Sequence, residues 1–159
     1  MEVVDGYMNR LVRAMALVIA TLAGALLLGG GAGAQDASPV GLWKTIDDET
    51  GQPKALVRIS EQGGVLSGRI EKLFSPSRPN PVCEQCSDER KGKPIEGMTI
   101  LEGLKREGDA WDDGQILDPN KGKVYRAKAK LVDGGSRLEV RGFVGISLFG
   151  RTQTWIREK

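Results

Sequence analysis

Cys83 and Cys86 are the only thiols of the chain, and their Cys-x-x-Cys spacing is its nearest approach to a recognisable reactive motif. In a thiol oxidoreductase this spacing opens a helix after a strand, where the helix N-terminus lowers a thiol pKa. Here it lies in a polar stretch between Pro81 and Pro94, with no helical periodicity around it. Four readings stand: a structural disulfide closing a small loop, worth about 2 kcal/mol by chain entropy; thiol chemistry; free thiols; and a zinc ion shared by two chains. The zinc reading needs a second chain because one Cys-x-x-Cys supplies only two of the four ligands of a closed zinc site.

Other reactive groups are few. The chain has no histidine, which excludes a Ser-His-Asp triad, a Cys-His dyad and every His-ligated zinc. Ser147, in Gly145-Ile146-Ser147-Leu148-Phe149-Gly150, has one residue too many around it for a nucleophile elbow, and it has no base. The adjacent acids Asp47 with Asp48 and Asp112 with Asp113 stand in turn contexts; neighbours on an extended strand point to opposite faces and do not converge on one substrate. Phosphate-loop and dinucleotide fingerprints are absent beyond the first 34 residues. No cofactor or metal is implied, no catalytic residue is nominated, and the balance tips away from an enzyme.

The elements that must position these residues are strands. Ahead of them, Arg10 and Arg13, the apolar run Ala14 to Leu28 and the small residues Ala32-Gly33-Ala34 form the three parts of a signal peptide. The expectation is residues 1–34 as a leader cleaved after Ala34, residues 35–159 as one mature domain, and a periplasmic or secreted location. In an oxidising compartment a cysteine pair is more often bonded than free. The leader is charge-neutral overall, so the mature domain keeps the formal charge of +2 of the whole 159-residue chain, too small to imply nucleic acid. About 125 residues suffice to bury one core.

From Val40 onward, short alternating segments are punctuated by Gly, Pro and Asp, which reads as all-β. Strands are expected at Gly41 to Ile46, Ala55 to Ser60, Val65 to Phe74, Met98 to Lys105, Trp111 to Leu117, Lys123 to Val132, Arg137 to Val144 and Arg151 to Arg157. Eight strands are enough to close an antiparallel barrel whose interior holds side chains or one small ligand; a β-sandwich is the alternative. Leu66, Gly68, Ile70 and Phe74 share one face of the third strand, Tyr125, Ala127, Ala129 and Leu131 one face of the sixth, and Leu138, Val140, Gly142 and Val144 one face of the seventh. The small members of these rows either leave room for a ligand or let the strands pack tightly. Arg126, Lys128, Lys130, Arg137 and Arg141 fall on the opposite faces and would cluster in a sixth–seventh hairpin. The apolar connection Phe143 to Phe149 fills the core, flaps over the barrel mouth, or makes an exposed contact.

Read in order, Gly41-Leu42-Trp43, Asp47 to Gly51, Pro79-Asn80-Pro81 with Cys83 and Cys86, Lys91 to Ile95, Ile116 to Pro119, Gly122 to Tyr125, and Arg141-Gly142-Phe143 through Gly150 to Trp155 resemble the bacterial exported family catalogued as domain of unknown function 2147. The resemblance implies a lipocalin-like barrel in the cell envelope and brings no established activity. Gly41-Leu42-Trp43 also resembles the Gly-x-Trp signature of lipocalins, which implies that Trp43 closes one barrel end under an arginine, Arg151 or Arg157.

These readings converge on an exported, monomeric or weakly dimeric barrel that binds a small hydrophobic or amphipathic molecule. Its expected lining is Leu66, Ile70, Tyr125, Ala127, Ala129, Val140, Phe143 and Phe149. The alternatives are an interaction module meeting an anionic membrane surface or an envelope protein through its basic outer face, and a thiol or metal site at the cysteine pair.

Overall fold

The computed structural model describes residues 38–48 and 50–159; the expected leader lies outside them. Eight antiparallel strands, β1 (Gly41–Ile46), β2 (Pro53–Gln62), β3 (Val65–Leu73), β4 (Thr99–Glu107), β5 (Ala110–Asp118), β6 (Lys123–Val132), β7 (Arg137–Phe143) and β8 (Gly150–Arg157), follow one another around a closed barrel. Closure comes from β8 returning to β1, with Trp43 opposite Arg157 and Thr45 opposite Trp155. The barrel leaves no sheet edge unpaired, which removes the usual site of edge-to-edge aggregation. Among the described residues no helix is long and apolar enough to cross a membrane.

Local chemistry sets the connections. Gly63 and Gly64 link β2 to β3 with φ of 59° and 78°, the two positive values that a two-residue hairpin of the primed type requires. In the β1–β2 turn the Asp47 carboxylate accepts from the Thr50 N–H at 2.9 Å, an Asx-type closure that occupies this acid structurally. Opposite Leu56 and Val57 the third strand carries an extra residue, because Leu56 pairs with Lys72 but Val57 with Ile70. A bulge of this kind shifts the parity of the strand beyond it. Leu73 therefore takes the inward position expected for Phe74, and Phe74 opens the following connection.

The end at which β1, β3, β5 and β7 begin is filled. Trp43 is fully buried, with Leu66, Leu104 and Leu138 at most 1 % exposed. The Trp43 indole N–H donates to the Pro39 carbonyl at 2.7 Å, and the Arg157 guanidinium lies 4.2 Å from the centre of its ring. The same guanidinium donates to three carbonyls, of Gly135 (2.7 Å), Val40 (3.0 Å) and Ser38 (2.6 Å), tying the entry of β1 to the β6–β7 turn. Burial pushes Arg157 below its ordinary pKa, and the carbonyls together with the indole face offset that cost. Gly41 makes the stack possible: a Cβ there would lie 2.9 Å from Arg157 Nη1.

Arg151 does not share this role, contrary to one of the two expectations for it. It sits at the start of β8, opposite Gly142, at the far end of the barrel, where it pairs with Asp48. Both arginines lie on one strand in the same parity, and only the β1–β8 register decides which of them meets Trp43.

Candidate ligand-binding cavity

The other end of the barrel is open and leads into a cavity of about 470 Å³, within the size range of small-molecule sites. Four connections surround the opening: the β1–β2 turn, residues 74–98 between β3 and β4, the β5–β6 turn and the β7–β8 loop. Side chains of the last three meet inward-facing strand residues to form one mostly apolar wall.

The expected lining divides along the barrel axis. Ile70, Tyr125, Val140, Phe143 and Phe149 lie on the cavity wall, whereas Leu66, Ala127 and Ala129 do not; these three are buried in the filled half. The small residues there serve packing. A Cβ on Gly68 would meet Leu101 Cβ at 3.0 Å and Val57 Cγ1 at 3.2 Å, and one on Gly114 would overlap Leu104 at 2.6 Å. Large side chains from neighbouring strands thus occupy the space that the small ones release. Of Gly68, Ala127, Ala129 and Gly142, Gly142 alone borders the cavity.

Reading the strands singly missed Leu73, Ile116, Gln153 and Trp155, all on the wall. The signal was present in β8, where Gln153 and Trp155 alternate with exposed threonines. Gln153 is a polar group inside a mostly apolar chamber. Its Oε1 accepts from the Trp155 indole N–H at 3.3 Å, which leaves its amide N–H groups free to donate. Among the described residues the Tyr125 hydroxyl has no hydrogen-bond partner, and it too lies on the wall. At the rim, Lys54 pairs with Asp47 (3.5 Å), Lys121 with Asp118 (3.8 Å) and Arg151 with Asp48. The cavity thus offers an apolar body, two internal hydrogen-bonding groups and a rim of charge pairs, which together suit an amphipathic ligand.

The long connection supplies one side of the opening. Cys83 and Cys86 are joined in a disulfide, so the pair stands in its bonded state. The bridge turns the chain back on itself. Val82 bridges Pro94, the Cys83 N–H donates to the Lys93 carbonyl and the Ile95 N–H to the Pro81 carbonyl, both at 2.9 Å. Pro81 and Ile95 then reach the cavity wall, and Cys83 Sγ rests 3.2 Å from the Pro119 carbonyl oxygen in the β5–β6 turn.

Within this segment the Arg90 guanidinium and backbone N–H both donate to Asp88. They hold its carboxyl at about 2, against an ordinary value of 3.8, the side-chain bond being the larger cause. A depressed carboxyl favours the folded segment above its ordinary pKa, and that contribution disappears as pH falls through the depressed value. NMR titration is expected to place Asp88 near 2, and Arg90→Ala to return it towards 3.8. Ordinary titration in the unaltered protein would mean that the pair does not form in solution.

The basic outer row divides as well. Lys130 pairs with Asp109 at 2.7 Å and Arg137 with Asp133 at 3.2 Å, and Glu139 stands opposite Lys130 in the β6–β7 ladder. This end of the row is therefore locally neutralised and is not part of a continuous patch. Arg126, Lys128 and Arg141, nearer the open end, instead reach the β7–β8 loop.

Comparison with known proteins agrees with this architecture. Protein HP1028 from the human pathogen Helicobacter pylori, described as belonging to the lipocalin family, superposes with a TM-score of 0.68 at 17 % identity, over 77 % of this chain and 84 % of that one. At that identity the likeness establishes the fold, a lipocalin-like barrel. No curated protein matches the sequence. A family described as "Uncharacterized protein conserved in bacteria (DUF2147)" matches residues 41–157, first strand through last, and the chain belongs to that family.

Proposed function

We propose that this protein is an exported carrier, monomeric or weakly dimeric, that holds one small hydrophobic or amphipathic molecule in the open half of its barrel. One observation carries the reading: a cavity of about 470 Å³ with a mostly apolar wall opens at one end of a barrel whose other end is closed by Trp43 and Arg157. A void of that size, at about 30 Å³ per molecule, would hold on the order of fifteen waters. Few of them would find the two to four polar partners that ordered water needs, so an apolar ligand displaces them favourably. Tyr125 and Gln153 would fix such a ligand's orientation. The leader-like first 34 residues and the disulfide support an oxidising compartment outside the cytoplasm.

Native mass spectrometry of the protein isolated from its own host, repeated after denaturation, tests this reading. A stoichiometric extra mass that is lost on denaturation, and that is absent from a Val140→Phe variant with an unchanged circular dichroism spectrum, is the expected result. A bare mass, with no uptake of a hydrophobic fluorescent probe by the folded protein, would overturn it.

A further inference from the structure

The β7–β8 loop is built unlike the other connections. Val144, Ile146, Leu148 and Phe149 are 67, 61, 75 and 72 % exposed, whereas the other exposed large apolar residues among those described, Val40, Val124 and Ile156, are isolated and close to 40 %. Four large apolar side chains within six residues project into solvent beside the cavity opening. Val144 and Phe149 border the cavity as well.

The backbone carbonyls of this loop are turned inward and bonded. The Gly145 carbonyl accepts from Arg126 Nη1 at 3.3 Å, the Ile146 carbonyl from the Phe149 N–H at 3.1 Å, and the Ser147 and Leu148 carbonyls from Arg141 Nε at 2.7 Å and Nη2 at 3.1 Å. Lys128 Nζ lies 3.3 Å from Ser147 Oγ. Four consecutive carbonyls are thus satisfied by protein. A loop in water has no need of this, because solvent serves its carbonyls. A loop entering a lipid interface gains from it, because each carbonyl carried out of water without a partner is costly. Three of the four carbonyls are capped by arginines and the Ser147 hydroxyl by Lys128, and no carboxylate pairs with Arg126, Lys128 or Arg141 among the described residues. Their charge lies at the base of an apolar tip, where phosphate headgroups would meet it.

We infer that the β7–β8 loop is a membrane-docking tip. It places Ile146 and Leu148, flanked by Val144 and Phe149, into the acyl boundary of an anionic bilayer, while Arg126, Lys128 and Arg141 contact lipid phosphates. Docking in this orientation turns the cavity opening towards the membrane. The inference stands whether or not the cavity carries a ligand, because it rests on the loop and the three cations at its base.

Co-sedimentation with vesicles of equal parts phosphatidylglycerol and phosphatidylcholine tests it. Each cation near an anionic surface strengthens binding roughly fivefold. The protein is therefore expected to bind these vesicles on the order of a hundredfold more tightly than pure phosphatidylcholine, and the difference should shrink in high salt. The double variant Ile146→Ser with Leu148→Ser is expected to lose at least about tenfold of the affinity, with unchanged circular dichroism and hydrophobic-probe uptake. In a separate Ile146→Trp variant the added indole should shift its emission to the blue on vesicle addition. Equal binding by the double variant, an unmoved Ile146→Trp emission, or a solution dimer abolished by the same serines would each overturn the assignment, the last by making the loop a contact between copies of the chain.

Discussion

Trp43→Ala is expected to lower the stability of the domain by about 3–5 kcal/mol, the range for truncating a fully buried tryptophan. The indole is wholly inaccessible, and its loss leaves a void at the filled end together with an unpaired Pro39 carbonyl. It also removes the ring against which Arg157 rests. For a domain of this size the melting temperature should fall by roughly 10–25 °C, read by far-UV circular dichroism. Arg157→Ala should cost less, about 2–3 kcal/mol, through the carbonyls of Gly135, Val40 and Ser38. Arg157→Lys should recover only part of that, because an ammonium cannot reproduce the planar fork. Arg151→Ala removes an exposed pair with Asp48 and should change stability by less than about 1 kcal/mol. A Trp43→Ala variant that melts within a few degrees of the parent would mean that the filled end is not the keystone of the barrel. Because Trp43 lies off the cavity wall, ligand or probe affinity below the melting transition should survive its loss.

The contrast between the two arginines shows what sequence can carry. Strand limits were legible where the signal is local. Gly41–Ile46 and Lys123–Val132 were found residue for residue, because alternation of period two and turn residues such as Gly63-Gly64 act within a few positions. Which of Arg151 and Arg157 meets Trp43 was not legible, because it depends on a register between the first and last strands, set by closure of the whole ring. The Glu71 bulge was likewise silent in sequence and moved the inward position to Leu73. Whether the barrel is hollow depends on which large residue stands level with which small one. Ala127 and Ala129 read as room, yet they belong to the filled core, while Gly142 borders the cavity. Apolar composition gave no guidance in the β7–β8 loop. Phe143 is 4 % exposed and Phe149 72 %, and the difference follows from where β7 ends and from the arginines that pull the loop's carbonyls inward.

Gly122→Ala should produce the other large effect, because this glycine is where the disulfide-stapled connection sits on the barrel. At φ +62° a Cβ would lie 2.0 Å from the Gln85 carbonyl oxygen, 2.1 Å from its carbon and 2.6 Å from the Cys86 nitrogen. These are backbone atoms within the ring that the Cys83–Cys86 bond closes, so they cannot move aside as a flexible side chain would. The left-handed conformation alone costs a non-glycine residue about 1–2 kcal/mol, and overpacking a rigid contact adds about 1–3. A loss of about 2–5 kcal/mol is expected, or release of the connection from the β5–β6 turn if that is cheaper. Gly51→Ala separates the two causes, since Gly51 has a similar φ of +69° and nothing within 4 Å of its added Cβ. It should show the conformational cost only. Release would also remove Pro81 and Ile95 from the cavity wall, so hydrophobic-probe affinity should fall on the order of tenfold in Gly122→Ala, the loss of about 1.4 kcal/mol of contact, and remain unchanged in Gly51→Ala. If the two variants are equally stable and bind the probe equally well, the cysteine connection does not rest on this turn in solution, and the cavity would have to be closed on that side by something else.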